Sequence, residues 1–313
     1  MTPQPLKNRI LAVAGIVASA LALSCTAGVW AAPLRPLHLS NPLAPHARVL
    51  IVNVAGRVVV TGWTHPALQL TGTMDPRDRL VVRDLKHGLA IRIVRRHPGR
   101  SGEKIHGARL FIHIPVASRL TVRTVSAWVL ARNLDGPVHL KTVSGSIKLQ
   151  SISHRIVAKS VSGTVSIDGS ARPARILAHT VSGGITIQGV GGRVRAGSVS
   201  GSVWVGAQAL RRAFLRTVSG PIQFVGRLTP KGRYVLGSVS GNIGFAPAPR
   251  PGARFQVVTL SGDIVDAIGP PAHRRSRFGP GEALRFVSGP GGARVRIRTL
   301  SGNIGLEKMT KRP

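Results

Sequence analysis

Arg119, Arg155, Arg175, Arg193, Arg212, Arg233, Arg254 and Arg294 each stand five residues ahead of a Thr/Ser-Val/Leu-Ser-Gly motif or a close variant of it. Arg48 holds the same place before the degenerate copy Asn53-Val54-Ala55-Gly56, and Pro137 is the exception. One residue before the motif a second cation recurs, as Arg123, Lys141, Lys159, His179, Arg216 and Arg298. A guanidinium offers a planar fork of donors that matches phosphate and carboxylate in pairs of hydrogen bonds. If the repeats stack as strands, neighbours in each column lie ~4.7–4.9 Å apart. Like charges that close repel unless solvent, counterions or a polyanion separate them. Two readings follow: a ladder for phosphorylated lipopolysaccharide, an acidic polysaccharide or extracellular DNA, or a solvated basic face whose aliphatic stems cover the strands.

The elements that position these columns are legible as a repeat. The motif is clearest at Thr142-Val143-Ser144-Gly145 and recurs at 160–163, 180–183, 198–201, 217–220 and 238–241, then with Leu for Val at 259–262 and 299–302. Its Ser-Gly pairs are Ser144-Gly145, Ser162-Gly163, Ser182-Gly183, Ser200-Gly201, Ser219-Gly220, Ser240-Gly241, Ser261-Gly262 and Ser301-Gly302. Successive serines from Ser144 to Ser261 are 18, 20, 18, 19, 21 and 21 residues apart, and Ser301 follows after 40. With the leading Thr/Ser counted as zero, positions −4, −2, +5 and +7 are mostly apolar. Alternation on both sides of a Ser-Gly bend predicts two short strands per unit. One such unit cannot bury its apolar side alone, whereas stacked units can.

The expected fold is therefore all-β, a β-solenoid (parallel β-helix-like) stack of units of 18–21 residues. A left-handed β-helix of hexapeptides would need three similar signals per turn, and this chain shows one. At the bend, Gly is expected to supply positive φ and the Ser hydroxyl to bond nearby backbone. The Val or Leu at +1 is expected to be turned into the core by the bend. Strict alternation would instead leave it outside as an apolar stripe, which suggests a partner surface or self-association.

Before residue 107 the pattern is less regular. Residues 79–94 predict a hairpin with Lys86-His87-Gly88 at its turn, residues 95–107 a basic loop, and residues 109–116 a strand leading into the array. The division drawn from this is an N-terminal β section at 32–117, a repeat region at 118–307 and a basic tail at 308–313. Pro270-Pro271 and Gly279-Pro280-Gly281 predict a loop over about 269–292 that interrupts or replaces one unit. Phe286-Val287-Ser288-Gly289 resembles the motif but falls out of phase with it.

Composition bounds the function classes. The 313 residues carry 44 Lys+Arg against 10 Asp+Glu, a formal charge of +34, which attracts polyanions and opposes self-packing at low salt. Lys7 and Arg9 precede an apolar run to Leu23, and Val29 and Ala31 suit a cleavage site after Ala31. These are the parts of a secretory signal peptide at 1–31, implying a periplasmic or cell-surface protein. An uncleaved anchor, or lipidation of the single Cys25, are the alternatives. Cleavage after Ala31 leaves a mature chain without cysteine, hence without disulfides or thiol chemistry.

Catalytic readings are weak. A nucleophilic serine would need a Gly-x-Ser-x-Gly elbow with a His and an acid, and no such pentapeptide occurs. Asp263 and Asp266 form the one close acidic pair that a glycosidase could use. Among eleven histidines only His106 and His113 are near each other, without companions at ligand spacing. No catalytic residue, metal or cofactor is expected. No nucleic-acid motif appears and aromatics are few, so only non-specific, salt-sensitive binding to nucleic acid in vitro is expected.

These segments together resemble a bacterial family called "putative adhesins", exported proteins with a β-strand repeat. The resemblance runs through residues 49–62 (VLIVNVAGRVVVTG), 110–125 (LFIHIPVASRLTVRTV) and the motif copies that follow, covering roughly 45–307. Ala127 departs from it where the first Gly is expected. It implies an exported all-β protein and no catalytic residues. The expected function is a binding or scaffold module of the envelope, with Arg and Lys columns on anionic glycan or lipid headgroups. The alternatives are an envelope-stress or assembly factor that binds another protein and, third, a carbohydrate-active β-helix enzyme.

Overall fold

The structure, a computed structural model, describes residues 34–95, 106–248, 252–274, 280–290 and 292–309. The signal peptide, Cys25, most of the basic loop and the last four residues of the tail lie outside the described residues. The N-terminal strands are β1 (Arg35–Pro42), β2 (Arg48–Asn53), β3 (Gly56–Trp63), β4 (Ala67–Met74), β5 (Asp78–Leu85), β6 (Gly88–Arg95) and β7 (Ala108–Pro115). The middle strands are β8 (Arg119–Thr124), β9 (Trp128–Arg132), β10 (Val138–Lys141), β11 (Ile147–Gln150), β12 (Arg155–Lys159), β13 (Val165–Asp168) and β14 (Pro173–His179). Three long strands follow, β15 (Ile185–Gly197), β16 (Val203–Arg216) and β17 (Ile222–Gly237). The last are β18 (Ile243–Pro247), β19 (Ala253–Thr259), β20 (Ile264–Asp266), β21 (His273–Arg274), β22 (Glu282–Ser288), β23 (Ala293–Thr299) and β24 (Ile304–Leu306). All 24 belong to one mostly parallel sheet that does not close on itself, and no helix occurs among the described residues.

Each repeat gives one strand to either side of its bend, as the alternation requires. The strand before the bend joins a first run of pairing, for example β8–β10–β12–β14, and the strand after it joins a second, β9–β11–β13–β15. The long strands β15, β16 and β17 take part in both runs, the first half of each in the second run and the last half in the first. Inward positions form one core: Ile156 and Ala158 before the bend, Val165 and Ile167 after it, all buried. Strict alternation along β12 and β13 sends the residues between them outward. Toward the C-terminal end the core gains rings, with Phe224 stacked on Phe245 at 4.8 Å and Tyr234 edge-on to Phe224 at 5.6 Å.

No break in pairing falls near residue 117. β2 pairs with β8, β3 pairs with β9, and Asn53 lies opposite Thr124, so the degenerate first copy is in phase with the rest. The predicted hairpin is present as antiparallel β5 and β6.

Spatial order departs from chain order at both ends. The β2/β3 unit lies between the later β6/β7 and β8/β9 units. At the other end, β23 and β24 sit between β17/β18 and β19/β20, so the last unit in the chain is not the last in the stack. Within the segment predicted to be a loop, β22 lies antiparallel on β19. The out-of-phase Phe286-Val287-Ser288 belongs to that strand, which accounts for its lost register.

Parallel stacks present open edges, and antiparallel strands cover much of these. β5 covers β6, β4 covers β7 with β1 outside it, and β22 covers β19. On β20 the amide of Ile264 donates to the Glu282 carboxylate at 2.7 Å.

The turn between β4 and β5 is closed by charge. Asp75 is buried and accepts from the Arg77 guanidinium at 3.0 Å on both oxygens, with Arg95 at 3.8 Å from its Oδ2. The bonds from Arg77 hold the Asp75 carboxyl down to about 2, against the opposing effect of burial. A depressed carboxyl contributes its stability above the unfolded value of 3.8 and loses it as pH falls through about 2. The acid limb of unfolding should therefore soften between about pH 4 and 2, and Asp75→Asn should remove that component in denaturation midpoints taken across this window.

Candidate functional site

The bend is built on its first residue. Thr142 is buried, and its Oγ1 accepts the amide of Gly145 at 3.1 Å and donates to the carbonyl of Val125 in the preceding unit at 3.1 Å. Thr180 repeats this with Gly183 and Val161, and Ser198 with Gly201 and Val181. Each hydroxyl thus closes its own bend and ties it to the neighbouring one. The serine two residues on is exposed at Ser144, Ser162, Ser182 and Ser200, and its hydroxyl reaches the neighbouring carbonyl only weakly, at 3.4 Å from Ser144.

The glycine has a different reason from the one expected. Apart from Gly262, with φ of 153°, no glycine of the eight full motifs has positive φ. Gly163 is buried, and a Cβ on it would stand 2.0 Å from the carbonyl oxygen of Gly145. Close approach of stacked backbones, rather than a left-handed turn, excludes a side chain here.

The +1 column faces outward rather than into the core. Val143, Val161, Val181, Val199 and Val218 are 42–47% exposed, and Val54, Val125, Val239, Leu260 and Leu300 extend the same row. The bend does not turn them inward. The hydroxyl at zero takes the inward place because it has two backbone partners there, and alternation leaves +1 outside.

The arginine column is in register. Arg48 lies opposite Arg119, and Arg155, Arg175, Arg193, Arg212, Arg233, Arg294 and Arg254 follow as adjacent partners in an unbroken series. All are exposed. The column breaks only at the Pro137 unit, between Arg119 and Arg155. The swapped C-terminal order places Arg294 between Arg233 and Arg254.

The second column pairs Arg123 with Lys141, Lys141 with Lys159 and Lys159 with His179. Gly197 and Gly237 then alternate with Arg216 and Arg298. The column between these two, not singled out from the repeat, carries His139, Arg195 and Arg296 among mostly uncharged residues. Phe214 in that row lies beneath both Arg195 and Arg216, with guanidinium carbons 4.9 and 4.4 Å from its centroid. No motif spacing would have found this row; only the outward parity of position −3 points to it.

Electrostatics on this face are one-sided. Among the described residues no carboxylate forms an ion pair with a column cation; the ion pairs present join Asp75 and Asp78 to Arg77 and Arg95 at the N-terminal end. Partial burial lowers the pKa of His139, and the charges of Arg155, Lys141 and Lys159 lower it further. The outward side of the other run is mostly uncharged, with Ser166, Thr186, Trp204 and Gln223 at successive registers.

The residues weighed for catalysis stand in separate surroundings. Asp266 Oδ1 accepts the amides of Ile268 at 2.8 Å and Gly269 at 3.1 Å, while Asp263 is exposed. His113 stacks on Trp63 at 5.2 Å, whereas His106 lines a small pocket with Asn53, Asp78 and Arg95. Among the described residues no group of three His, Cys, Asp or Glu could hold a metal ion.

No protein-family model matches the chain, and no curated protein does. Solved structures do match over most of its length. A "putative lipid binding protein" from Parabacteroides distasonis is 12% identical, covering 87% of this chain and 97% of its own, at a TM-score of 0.38. A "putative cell adhesion protein" from Clostridium sporogenes is 8% identical over 88% of this chain and 100% of its own, at a TM-score of 0.24. A "putative adhesin" from Bacteroides fragilis is 9% identical over 87% and 97%, at a TM-score of 0.26.

Proposed function

We propose that this chain is an exported, non-enzymatic binding module of the bacterial envelope. Its fold is a two-stranded-per-turn β-solenoid, and its Arg and Lys columns hold an anionic glycan or anionic headgroups. One observation carries the reading: seven arginines from Arg155 to Arg254 stand exposed in adjacent registers, and among the described residues no carboxylate forms an ion pair with them. Neighbouring strands ~4.8 Å apart cannot relieve the repulsion by separating, so the array gains free energy whenever a polyanion replaces its counterions. A run of phosphates or carboxylates fits a run of guanidinium forks. The N-terminal features of a secretory signal support the envelope assignment.

The test is binding of the mature chain from Ala32 to phosphorylated and dephosphorylated lipopolysaccharide across a salt series. Arg175→Ala, Arg193→Ala and Arg212→Ala together should weaken binding to the phosphorylated form at least about tenfold near physiological salt. The log–log salt slope should flatten by about 2, at roughly 0.7–0.9 per lost contact. Equal affinity for both forms, or a triple variant with the wild-type slope, sinks the proposal. Binding that persists at high salt and ignores the arginines would favour a protein partner.

A further inference from the structure

The row of half-exposed valines at the bend has no part in the arginine ladder, and it runs beside the second cation column. We infer that this row is the apolar half of a membrane-contact surface, and that the anion held by the columns is the headgroup layer of an anionic lipid membrane. The inference rests on the polyanion reading and narrows it.

Position +1 and position −1 lie two residues apart on the same outward side, so the row and the second cation column run parallel at ~7 Å. Lys141 is thus next to Val143, Lys159 next to Val161 and Arg216 next to Val218. Apolar side chains flanked by Lys and Arg are the arrangement of a surface that lies in the membrane interface, with carbon in the acyl boundary and cations among phosphates. A soluble glycan would use the cations and leave the valines wet. A second copy of this chain would bring cation columns toward each other, on a molecule with a formal charge of +34.

Burying the row leaves little backbone unsatisfied. The amide of Val143 donates to Val125, that of Val161 to Val143, that of Val181 to Val161 and that of Val199 to Val181, all at 3.0–3.1 Å. The following serine amides donate to the same carbonyls, as Ser162 does to Val143 at 2.9 Å. Exposed backbone is the main cost of placing a non-helical segment against lipid, and here neighbouring units already satisfy it. Ten units at ~4.8 Å make a continuous ridge roughly 40 Å long.

Three probes separate this inference from the reading beneath it: phosphatidylglycerol/phosphatidylcholine vesicles, pure phosphatidylcholine vesicles, and heparin as a polyanion without acyl chains. The variant changes Val143, Val161, Val181, Val199 and Val218 to Thr, which keeps the β-branch and the strand preference. Wild type should bind the anionic vesicles and heparin. The Thr variant should lose at least about tenfold on vesicles and keep its heparin affinity. A Leu variant at the same five positions should bind vesicles at least as tightly as wild type. A Thr variant as tight on vesicles as wild type, or a wild type that binds heparin but not anionic vesicles, overturns the membrane assignment and leaves the arginine ladder standing. Binding to neither heparin nor anionic vesicles overturns both.

Discussion

Gly201→Ala should destabilise the protein by more than about 3 kcal/mol, far beyond an ordinary Gly→Ala exchange in a strand. The new methyl carbon would stand 2.0 Å from the carbonyl oxygen of Gly183 and 2.5 Å from its carbonyl carbon. Both are backbone atoms paired in the stack, so no side chain can swing aside. Gly220 is seated in the same way on Gly201, its Cβ position 2.1 Å from that carbonyl oxygen. Relief would require neighbouring units to part by about an ångström, lengthening hydrogen bonds on both sides of the bend. Gly197→Ala is the matched control, because its Cβ would meet nothing nearer than 3.3 Å. Urea midpoints for the two variants decide the matter. A Gly201→Ala midpoint close to that of Gly197→Ala would show that the glycine column is not a close-packing requirement.

Ending the chain before Ala293 should release more than the segment removed. In an array of nearest-neighbour units, deleting a terminal unit costs one interface. Here β23 and β24 fill the space between β17/β18 and β19/β20, so their removal costs two. Val295, Ile297, Ile304 and Leu306 are buried, and losing four such side chains forgoes on the order of 6–12 kcal/mol of gross burial. The β19–β22 pair would keep only the short β20 and β21 beside it, too little to stand alone in water. Limited proteolysis with mass readout should find residues 253–290 cleaved rapidly while 34–248 stays protected. Equal protection of both parts would show that β19 can dock directly on β17.

Much of this architecture is legible in the residue pattern. The two strands per unit, the arginine column and the phase of the degenerate first copy at Asn53 all follow from periodicity, and strand register preserves periodicity. Orientation at the bend was harder. Alternation favoured an inward hydroxyl at Thr142, hydrophobicity favoured an inward Val143, and the two backbone bonds to the threonine decide between them. The role of the glycines was hidden because a tight turn and a close approach select the same residue. Unit order was not legible at all. The 40-residue gap before Ser301 is a length, and the same length serves a loop that replaces a unit or a chain that passes outward, lays down β22 and returns. Function narrowed less than fold. The cation columns follow from spacing alone, while the apolar row beside the second of them was one of two open orientations until the exposure of Val143 and its equivalents decided it.

The interleaved ends also constrain how such a stack can change in length over generations. A duplicated terminal unit would find its place between neighbours already taken, because β23/β24 and β2/β3 are each enclosed on both sides. An interior unit such as the one at Ser160 repeats the bonds of its neighbours, with Ser162 donating to Val143 as Ser182 does to Val161. A second copy of it would slot in without altering either end. Growth and shrinkage are therefore confined to the middle, where each inserted unit adds ~4.8 Å, one arginine and one valine. The two ends act as fixed brackets around an extensible ruler.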